Sequence, residues 1–140
     1  MINKSRRDAL LKLAISAAGT DRQAALDSWF GRCAYFVVCD TETGEVQAVR
    51  NEAGEAGGGA GIKAAQIVVE TGAGAVVTGN IGPNALEVLQ QAGLRSFVAE
   101  HGRVEELVDA FKAGRLREIA APTTGQHGGM RGAGRGGRGR

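Results

Sequence analysis

The sequence predicts one α/β domain with a mixed sheet of about five strands and helices on both of its faces. Apolar and β-branched runs typical of strands fill the first half of the chain, and helical and strand patterns alternate in the second half. Gly72, Gly93 and Gly114 follow the three helical patterns at intervals of 21 residues, each where a left-handed residue commonly ends a helix. A chain of 140 residues, 43% of them hydrophobic, can bury the core that such a domain needs.

The first three strands are predicted from composition and from one turn. Residues 11–17 alternate apolar side chains, and residues 34–40 are rich in β-branched and aromatic residues. Residues 45–50 are expected to return as an antiparallel strand after the hairpin turn 41–44. Between the first two strands, the polar stretch 22–28 is expected to form a short helix.

The second half is predicted to contain three helices and two further strands. Residues 51–59 are expected to form a glycine-rich loop, and Pro83 suits the first turn of a helix, where its missing N–H costs nothing. The helices are expected at 62–71, 83–92 and 104–113, and the strands at 75–78 and 95–99.

Charge and composition divide the chain into three parts. Residues 1–10 form an N-terminal extension, residues 11–122 the domain, and residues 123–140 a Gly/Arg-rich tail that is expected to be disordered. The tail carries +4 and residues 1–8 carry +2, so an overall charge of +2 leaves −4 on the body between them. An acidic body argues against nucleic-acid binding except weakly through the tail. We expect removal of the tail to leave the fold unchanged and ligand affinity nearly so.

Cys33 and Cys39 are the only two cysteines of the chain. Placed on one face of one strand, they would lie about 20 Å apart. That distance excludes a disulfide between them and a shared metal ion. Free thiols indicate a reducing compartment, so we expect a cytoplasmic protein.

The N-terminal residues present one alternative to that location. Residues 5–12 resemble a twin-arginine export signal. However, Lys12 interrupts the apolar stretch that follows, and residues 11–17 have the alternation of a first strand. We therefore interpret the similarity as a coincidence, and no apolar run of the chain approaches the roughly 20 residues of a membrane span.

Two glycine-rich loops that lead into helices are the strongest functional signal. They occupy residues 57–65 and 79–86. The first amides of a helix have no internal partners and carry partial positive charge, and glycine leaves them open to a ligand. Two such helix starts at one edge of a sheet would form a pocket for a large anion. Since no complete catalytic set accompanies them, we expect a binding protein and not an enzyme.

One alternative remains open for the same pocket. A regulatory or interaction module could bind a small anion or a nucleotide there. The pattern at residues 59–63 is a poor dinucleotide fingerprint, because it follows a loop and not a strand. No nucleotide cofactor is therefore expected.

Three motifs resemble one known family. They are Phe30-Gly31-Arg32 before a strand, Gly58-Gly59-Ala60-Gly61-Ile62 at one helix start, and Gly79-Asn80-Ile81-Gly82-Pro83-Asn84-Ala85 at the next. Their order and spacing are similar to those of the dinitrogenase iron-molybdenum cofactor biosynthesis family, over residues 11–122. The resemblance implies a ribonuclease H-like three-layer fold without nuclease activity. It also implies binding or carriage of iron-molybdenum cofactor or its precursors.

The chain is most similar to the stand-alone orange-protein branch of that family, which is associated with a non-covalent molybdenum–copper sulfide cluster. Some cofactor carriers have a histidine, a plausible metal ligand, where this chain has Trp29. The resemblance therefore implies an anionic cluster held by amides and by Arg32, with Cys33 the one weak candidate for direct ligation. Carriage also implies a donor or acceptor protein. The expected cofactor-binding residues are Trp29, Phe30, Arg32, Gly58, Gly59, Ala60, Gly61, Asn80, Gly82 and Asn84.

Overall fold

A computed structural model of the protein describes residues 12–55 and 59–123. These residues contain a six-stranded sheet. The strands are β1 (Lys12–Ala17), β2 (Tyr35–Asp40), β3 (Val46–Arg50), β4 (Ala75–Thr78), β5 (Arg95–Val98) and β6 (Arg117–Glu118). The helices are α1 (Ala60–Glu70), α2 (Pro83–Gln91) and α3 (Val104–Lys112), and a 3₁₀ turn covers Glu52–Glu55.

The sheet is mixed, as the sequence predicts. Its strand order is β3-β2-β1-β4-β5-β6. Strands β1, β4 and β5 run parallel, whereas β2 is antiparallel to both β1 and β3, and β6 is antiparallel to β5. The short strand β6 is the element that the estimate of about five strands omits.

Helices cover both faces of this sheet. Along β1, Leu13 and Ile15 belong to one buried cluster while Ala14 belongs to the other, as the period of two in a strand requires. Helices α1 and α2 contribute to the cluster of Ala14, and α3 contributes to the cluster of Leu13. The three-layer α/β arrangement is thus confirmed, and the ribonuclease H-like label stays a prediction that rests on the resemblance.

Glycine positions mark the ends of elements. Gly72, Gly93 and Gly114 have φ values of 82°, 86° and 73°, so the predicted left-handed caps are confirmed. The predicted hairpin turn is also confirmed, since Gly44 has φ 81° and its N–H donates to the Asp40 carbonyl at 2.8 Å.

The prediction of a short helix at 22–28 is wrong. The backbone of this segment bonds to other parts of the chain, with the Leu26 N–H donating to the Gly102 carbonyl and the Val104 N–H donating to the Ala24 carbonyl. The Asp27 N–H donates to the Ser16 carbonyl in the same way. Because these tertiary bonds use the groups that a helix would pair internally, the segment crosses the sheet edge as turns and single bridges.

The placement of both cysteines on one strand face is also wrong. Cys33 precedes β2 and is buried in the cluster beneath α1 and α2, whereas Cys39 is buried in the cluster beneath α3. The alternation of β2 begins only at Tyr35, so it does not extend back to Cys33.

Several predictions concern residues that the structure does not describe. The N-terminal extension 1–10, Gly58 and the tail beyond Thr123 lie outside the described residues. Within residues 12–55 and 59–123, no helix has the length and apolar character that crossing a membrane requires.

Candidate functional site

Three segments meet at the edge of the sheet where β1 and β4 end. They are the loop 27–33, the first turn of α1, and the loop 79–82 that leads into α2. Strand β2 begins at this same edge, because Tyr35 is paired with Ala17 at the end of β1. The three motifs singled out in the sequence are therefore brought together by the order of the strands.

The loop 27–33 is bonded to the loop that precedes α2. The Phe30 N–H donates to the Asn80 carbonyl at 3.0 Å, and the Asn80 side-chain amide donates to the Ser28 carbonyl at 3.3 Å. A Cβ on Gly79 would lie only 2.9 Å from the Ser28 carbonyl oxygen. Gly79 is thus required by close backbone contact, and Asn80 links the two loops.

The loop 27–33 also packs directly on the start of α1. A Cβ on Gly31 would lie 3.3 Å from the Cα of Gly61, and a Cβ on Gly61 would lie 3.4 Å from the Cβ of Ala85 in α2. These two contacts place the Phe30-Gly31-Arg32 motif, the first turn of α1 and the first turn of α2 side by side.

The buried hydroxyl groups of Ser16 and Thr78 form hydrogen bonds beneath the loop 27–33. The Ser16 Oγ lies 2.7 Å from the Asp27 carbonyl oxygen and 2.8 Å from the Thr78 Oγ1. A hydroxyl has one hydrogen and a carbonyl only accepts, so Ser16 donates to Asp27 and Thr78 donates to Ser16. These two hydrogen bonds join the ends of β1 and β4 to the loop that carries Trp29.

Asn51 is a supporting residue that the sequence analysis missed. Its buried side-chain amide donates to the Cys33 carbonyl at 2.9 Å, and its Oδ1 accepts from the Ala53 N–H at 3.1 Å. Asn51 therefore fixes the end of β3 to the loop 27–33. Its only sequence signal is one asparagine directly after a strand pattern, which is too common to identify it.

The starts of α1 and α2 lack the usual anionic partners. Gly59 and Gly82 are their N-caps, neither makes a side-chain capping bond, and neither helix has an acidic residue in its first turn. By contrast, Glu106 in the first turn of α3 accepts from the Arg103 N–H at 2.8 Å. The two helix starts that meet at the site thus keep uncompensated partial positive charge.

Two cationic side chains lie on the same segments. Arg32 belongs to the loop 27–33 and Lys63 to the first turn of α1, and both are exposed. Among the side chains that the structure describes, neither has an ion-pair partner. Arg32 and Lys63 thus place positive charge on two of the three segments, and Asp27 is the acidic residue of the loop 27–33.

Some apolar residues at the site are exposed on its surface, and others are buried beneath it. Trp29 is 53% exposed and Ile62 is 36% exposed, and in the described part of the chain they are the exposed large hydrophobic residues. Phe30 is 1% exposed, with its ring centroid 5.1 Å from that of Phe36. Trp29 is therefore exposed on the surface of the loop 27–33, and Phe30 packs in the core below it.

The Cys33 thiol lies in the same loop but is 1% exposed. Burial, and to a lesser extent the negative charge of Asp27, raises the pKa of Cys33 to about 12. The thiol is thus held in its neutral form at neutral pH, whereas a metal binds the thiolate. Throughout the described ranges, no group of three or more His, Cys, Asp or Glu side chains is placed to hold a metal ion.

The remaining expected residues surround the junction of the helices. Ala60 and Gly61 are half-buried in the first turn of α1, Gly82 begins α2 and Asn84 is exposed beside it. Gly58 lies outside the described residues. What the arrangement offers chemically is backbone amides and cations around one exposed apolar face.

Comparisons with known proteins agree with these motifs. A family model described as dinitrogenase iron-molybdenum cofactor matches residues 11–114. The apo form of the orange protein from Desulfovibrio gigas is 35% identical, with a TM-score of 0.79 over 82% of this chain and 98% of that chain. A Thermotoga protein of the DUF35 family is 37% identical, with a TM-score of 0.71 over 81% of this chain and 97% of that one. An uncharacterized protein of Methanocaldococcus jannaschii is 30% identical over 97 residues, which are 67% of this chain and 82% of the relative.

Proposed function

Because the chain belongs to the dinitrogenase iron-molybdenum cofactor family, we propose that it binds and carries an anionic molybdenum-containing metal-sulfide cluster in the cytoplasm. The cluster is the cargo of the protein, held without a covalent bond and without chemistry performed on it. Similarity to the orange protein favours a molybdenum–copper sulfide over an iron-molybdenum cofactor precursor. Carriage implies a donor and an acceptor protein.

The donor set of the site suits such a cargo. The metals of a thiomolybdate-type cluster are already coordinated by sulfide, so the protein has to supply N–H donors and positive charge instead of ligands. The first turns of α1 and α2 provide amides, and Arg32 provides a planar fork of donors. The exposed ring of Trp29 can cover one apolar side of the cluster.

One observation carries the proposal. Two helix starts without acidic residues or side-chain caps meet the loop of Arg32 at a single point, where Gly31 lies against Gly61 and Gly61 against Ala85. A single uncapped helix start is common in proteins. Here two helix starts, those of α1 and α2, converge, and both lie in motifs that resemble the family. This convergence favours one site for a polyanion.

Protein purified from its native host separates a cluster carrier from a module that binds a small anion or nucleotide. We expect a coloured protein with molybdenum in stoichiometric amount, measured by visible absorption and by metal analysis. A colourless, metal-free protein that binds a nucleotide would support the second class.

The site itself is tested by NMR titration with tetrathiomolybdate. We expect shifts confined to the amides of Arg32, Gly58, Gly59, Ala60, Gly61, Gly82 and Asn84. Arg32→Ala should weaken binding by about 1.5 to 3 kcal/mol, the scale of a hydrogen bond to a charged group. Binding should also weaken as salt is added.

Lys112→Ala is the matched control for this titration. It removes one positive charge at the end of α3, in a cleft beside the hairpin 41–44 and on the opposite face of the sheet. We expect its affinity to equal that of the unmodified protein. Shifts that map to the hairpin or to α3 would contradict the assignment of the site.

A further inference from the structure

Thr123 makes two hydrogen bonds to Ile81, in the loop that leads into α2. The Ile81 N–H donates to the Thr123 Oγ1 at 2.7 Å, and the Thr123 N–H donates to the Ile81 carbonyl at 3.0 Å. Ile81 is 2% exposed, so its N–H has little access to water and needs a partner within the protein. Thr123 itself is exposed and lies outside both buried clusters. Its contacts therefore act on the backbone of one loop and not on the core.

These bonds fix the direction of two consecutive peptide groups. In a trans peptide, the carbonyl and the N–H that follows it point to opposite sides. Since the Ile81 N–H faces Thr123, the Asn80 carbonyl points away from Thr123, and it accepts from the Phe30 N–H at 3.0 Å. By the same geometry, the Ile81 carbonyl faces Thr123 and turns the Gly82 N–H away from it. The Gly82 N–H therefore points toward the side on which Phe30 lies.

The Gly82 N–H is the first amide at the start of α2. Gly82 is the N-cap of this helix, and Pro83 at the first helical position has no N–H. The side toward which the Gly82 N–H turns is that of the loop 27–33, which carries Arg32 and packs on the first turn of α1. The direction of this one peptide group therefore decides whether the Gly82 N–H is a donor of the site.

We infer that Thr123 is a positioning residue of the anion site, which aims the Gly82 N–H at the bound anion through its two hydrogen bonds to Ile81. This inference rests on the proposed function. It requires no contact between Thr123 and the anion. A hydrogen bond weakens steeply when its donor is misaligned, and bonds to charged acceptors are the strong ones, so the orientation of this peptide group affects affinity.

Thr123→Val tests the inference, because valine keeps the shape of the side chain and removes the hydroxyl that accepts from Ile81. We expect its affinity for tetrathiomolybdate to fall about tenfold, the effect of weakening one hydrogen bond to a charged group. Thr123→Ser keeps the hydroxyl and should bind nearly as tightly as the unmodified protein. Thr43→Val is the matched control and should not change the affinity. It removes a hydroxyl that accepts from the Glu45 N–H at 3.2 Å, in the hairpin at the opposite end of β2 from the site.

Amide NMR distinguishes positioning from a general loss of stability. At saturation with tetrathiomolybdate, the shift of the Gly82 amide should be smaller in Thr123→Val, whereas the shifts of Gly59 and Gly61 at the start of α1 should stay unchanged. Without the anion, hydrogen exchange of the Ile81 N–H should be faster in Thr123→Val than in Thr123→Ser. If Thr123→Val does not fold, Thr123→Cys replaces it, because its sulfur is only a weak acceptor.

The outcomes separate this inference from the proposed function. If Arg32→Ala weakens binding but Thr123→Val binds as tightly as Thr43→Val, the site stands and the positioning role is refuted. An equal loss of the Gly59, Gly61 and Gly82 shifts in Thr123→Val would also refute it, since that result indicates a general disturbance of the site. If the unmodified protein does not bind tetrathiomolybdate, both proposals fail.

Discussion

The Cys33 thiol shows how burial decides the chemistry of a single residue. It lies in the loop of Arg32, yet its surroundings are the Phe30 carbonyl, at 3.4 Å from the sulfur, and the side chain of Asn51. Loss of solvent raises its pKa to about 12, from a reference value of 9.0. The residue therefore belongs to the packing beneath the site, and its ionisation is coupled to folding.

This coupling predicts a pH dependence of stability. Because the pKa is raised in the folded state, the stabilisation is fully present below pH 9.0 and is lost as the pH rises toward about 12. In that window the free energy of unfolding should fall more steeply for the unmodified protein than for Cys33→Ala, by up to about 1.4 kcal/mol per pH unit. Denaturant titrations at several pH values measure both slopes, and equal slopes would contradict the coupling.

The same burial predicts that neither thiol holds the cargo. Cys33 and Cys39 lie on opposite faces of the sheet, so they cannot act as a pair. The double variant Cys33→Ser, Cys39→Ser should keep the cluster absorption, with its fold checked by NMR. If Cys33→Ser unfolds the protein, Cys33→Ala serves instead, and loss of the absorption from a folded variant would show that a thiol is a ligand.

At the scale of elements, glycine has two distinct roles. Gly72, Gly93 and Gly114 end helices in the left-handed region, a local requirement. Gly79 and Gly31 instead permit backbones from distant segments to touch. The second role determines the shape of the site.

Gly79→Ala adds only one methyl group, yet we expect it to disturb the structure of the site. The new Cβ would lie 2.9 Å from the Ser28 carbonyl oxygen, and backbone on both sides has to move. We expect a loss of stability of about 1 to 3 kcal/mol, the usual cost of overpacking. Amide shifts should change at Trp29 and Phe30.

Gly61→Ala is the control for this substitution. Its Cβ would meet only the Ala85 methyl group at 3.4 Å, an ordinary contact. Thermal unfolding should show a change well below that of Gly79→Ala. Equal losses of stability would show that the contact of Gly79 with the Ser28 carbonyl does not decide the outcome.

Local signals explain which elements the sequence could predict. Alternating residues gave strands β1 and β2, and the helix-ending glycines gave α1 to α3, because each signal acts within a few residues. The structure of the segment 22–28 could not be predicted in this way, because its partners, among them Gly102 and Ser16, are distant in sequence. The same reason applies to the bonds of Asn51 to Cys33, of Ser16 to Thr78 and of Ile81 to Thr123. The motifs of the site could therefore be predicted, but the contacts that support it could not.

At the scale of the molecule, the described residues form two buried clusters, one on either side of the sheet. Both are built from strands β1, β2 and β4 and from helices, with no contribution from the exposed residues of the site. The core of the described residues therefore forms without the exposed residues of the candidate site.

The apo protein should accordingly be folded and unfold cooperatively. We expect the same far-UV circular dichroism spectrum before and after tetrathiomolybdate is added. The midpoint of thermal unfolding should rise, because a ligand at 100 times its Kd stabilises the native state by about 2.7 kcal/mol. An apo chain that is disordered and gains structure only with the ligand would contradict this view.

The long separation between the bonded partners of the site has a consequence for biosynthesis. Ser16 meets a residue 62 positions later, and Ile81 meets one 42 positions later. While the ribosome is still making α1, the loop of Arg32 has emerged without the loop that completes it. A nascent chain that is stalled with β4 still inside the ribosomal exit tunnel should not bind tetrathiomolybdate. A chain that has left the ribosome with all residues up to Thr123 or beyond should bind it. Under the proposed function, the cluster would be loaded after translation, from a donor that meets the finished protein.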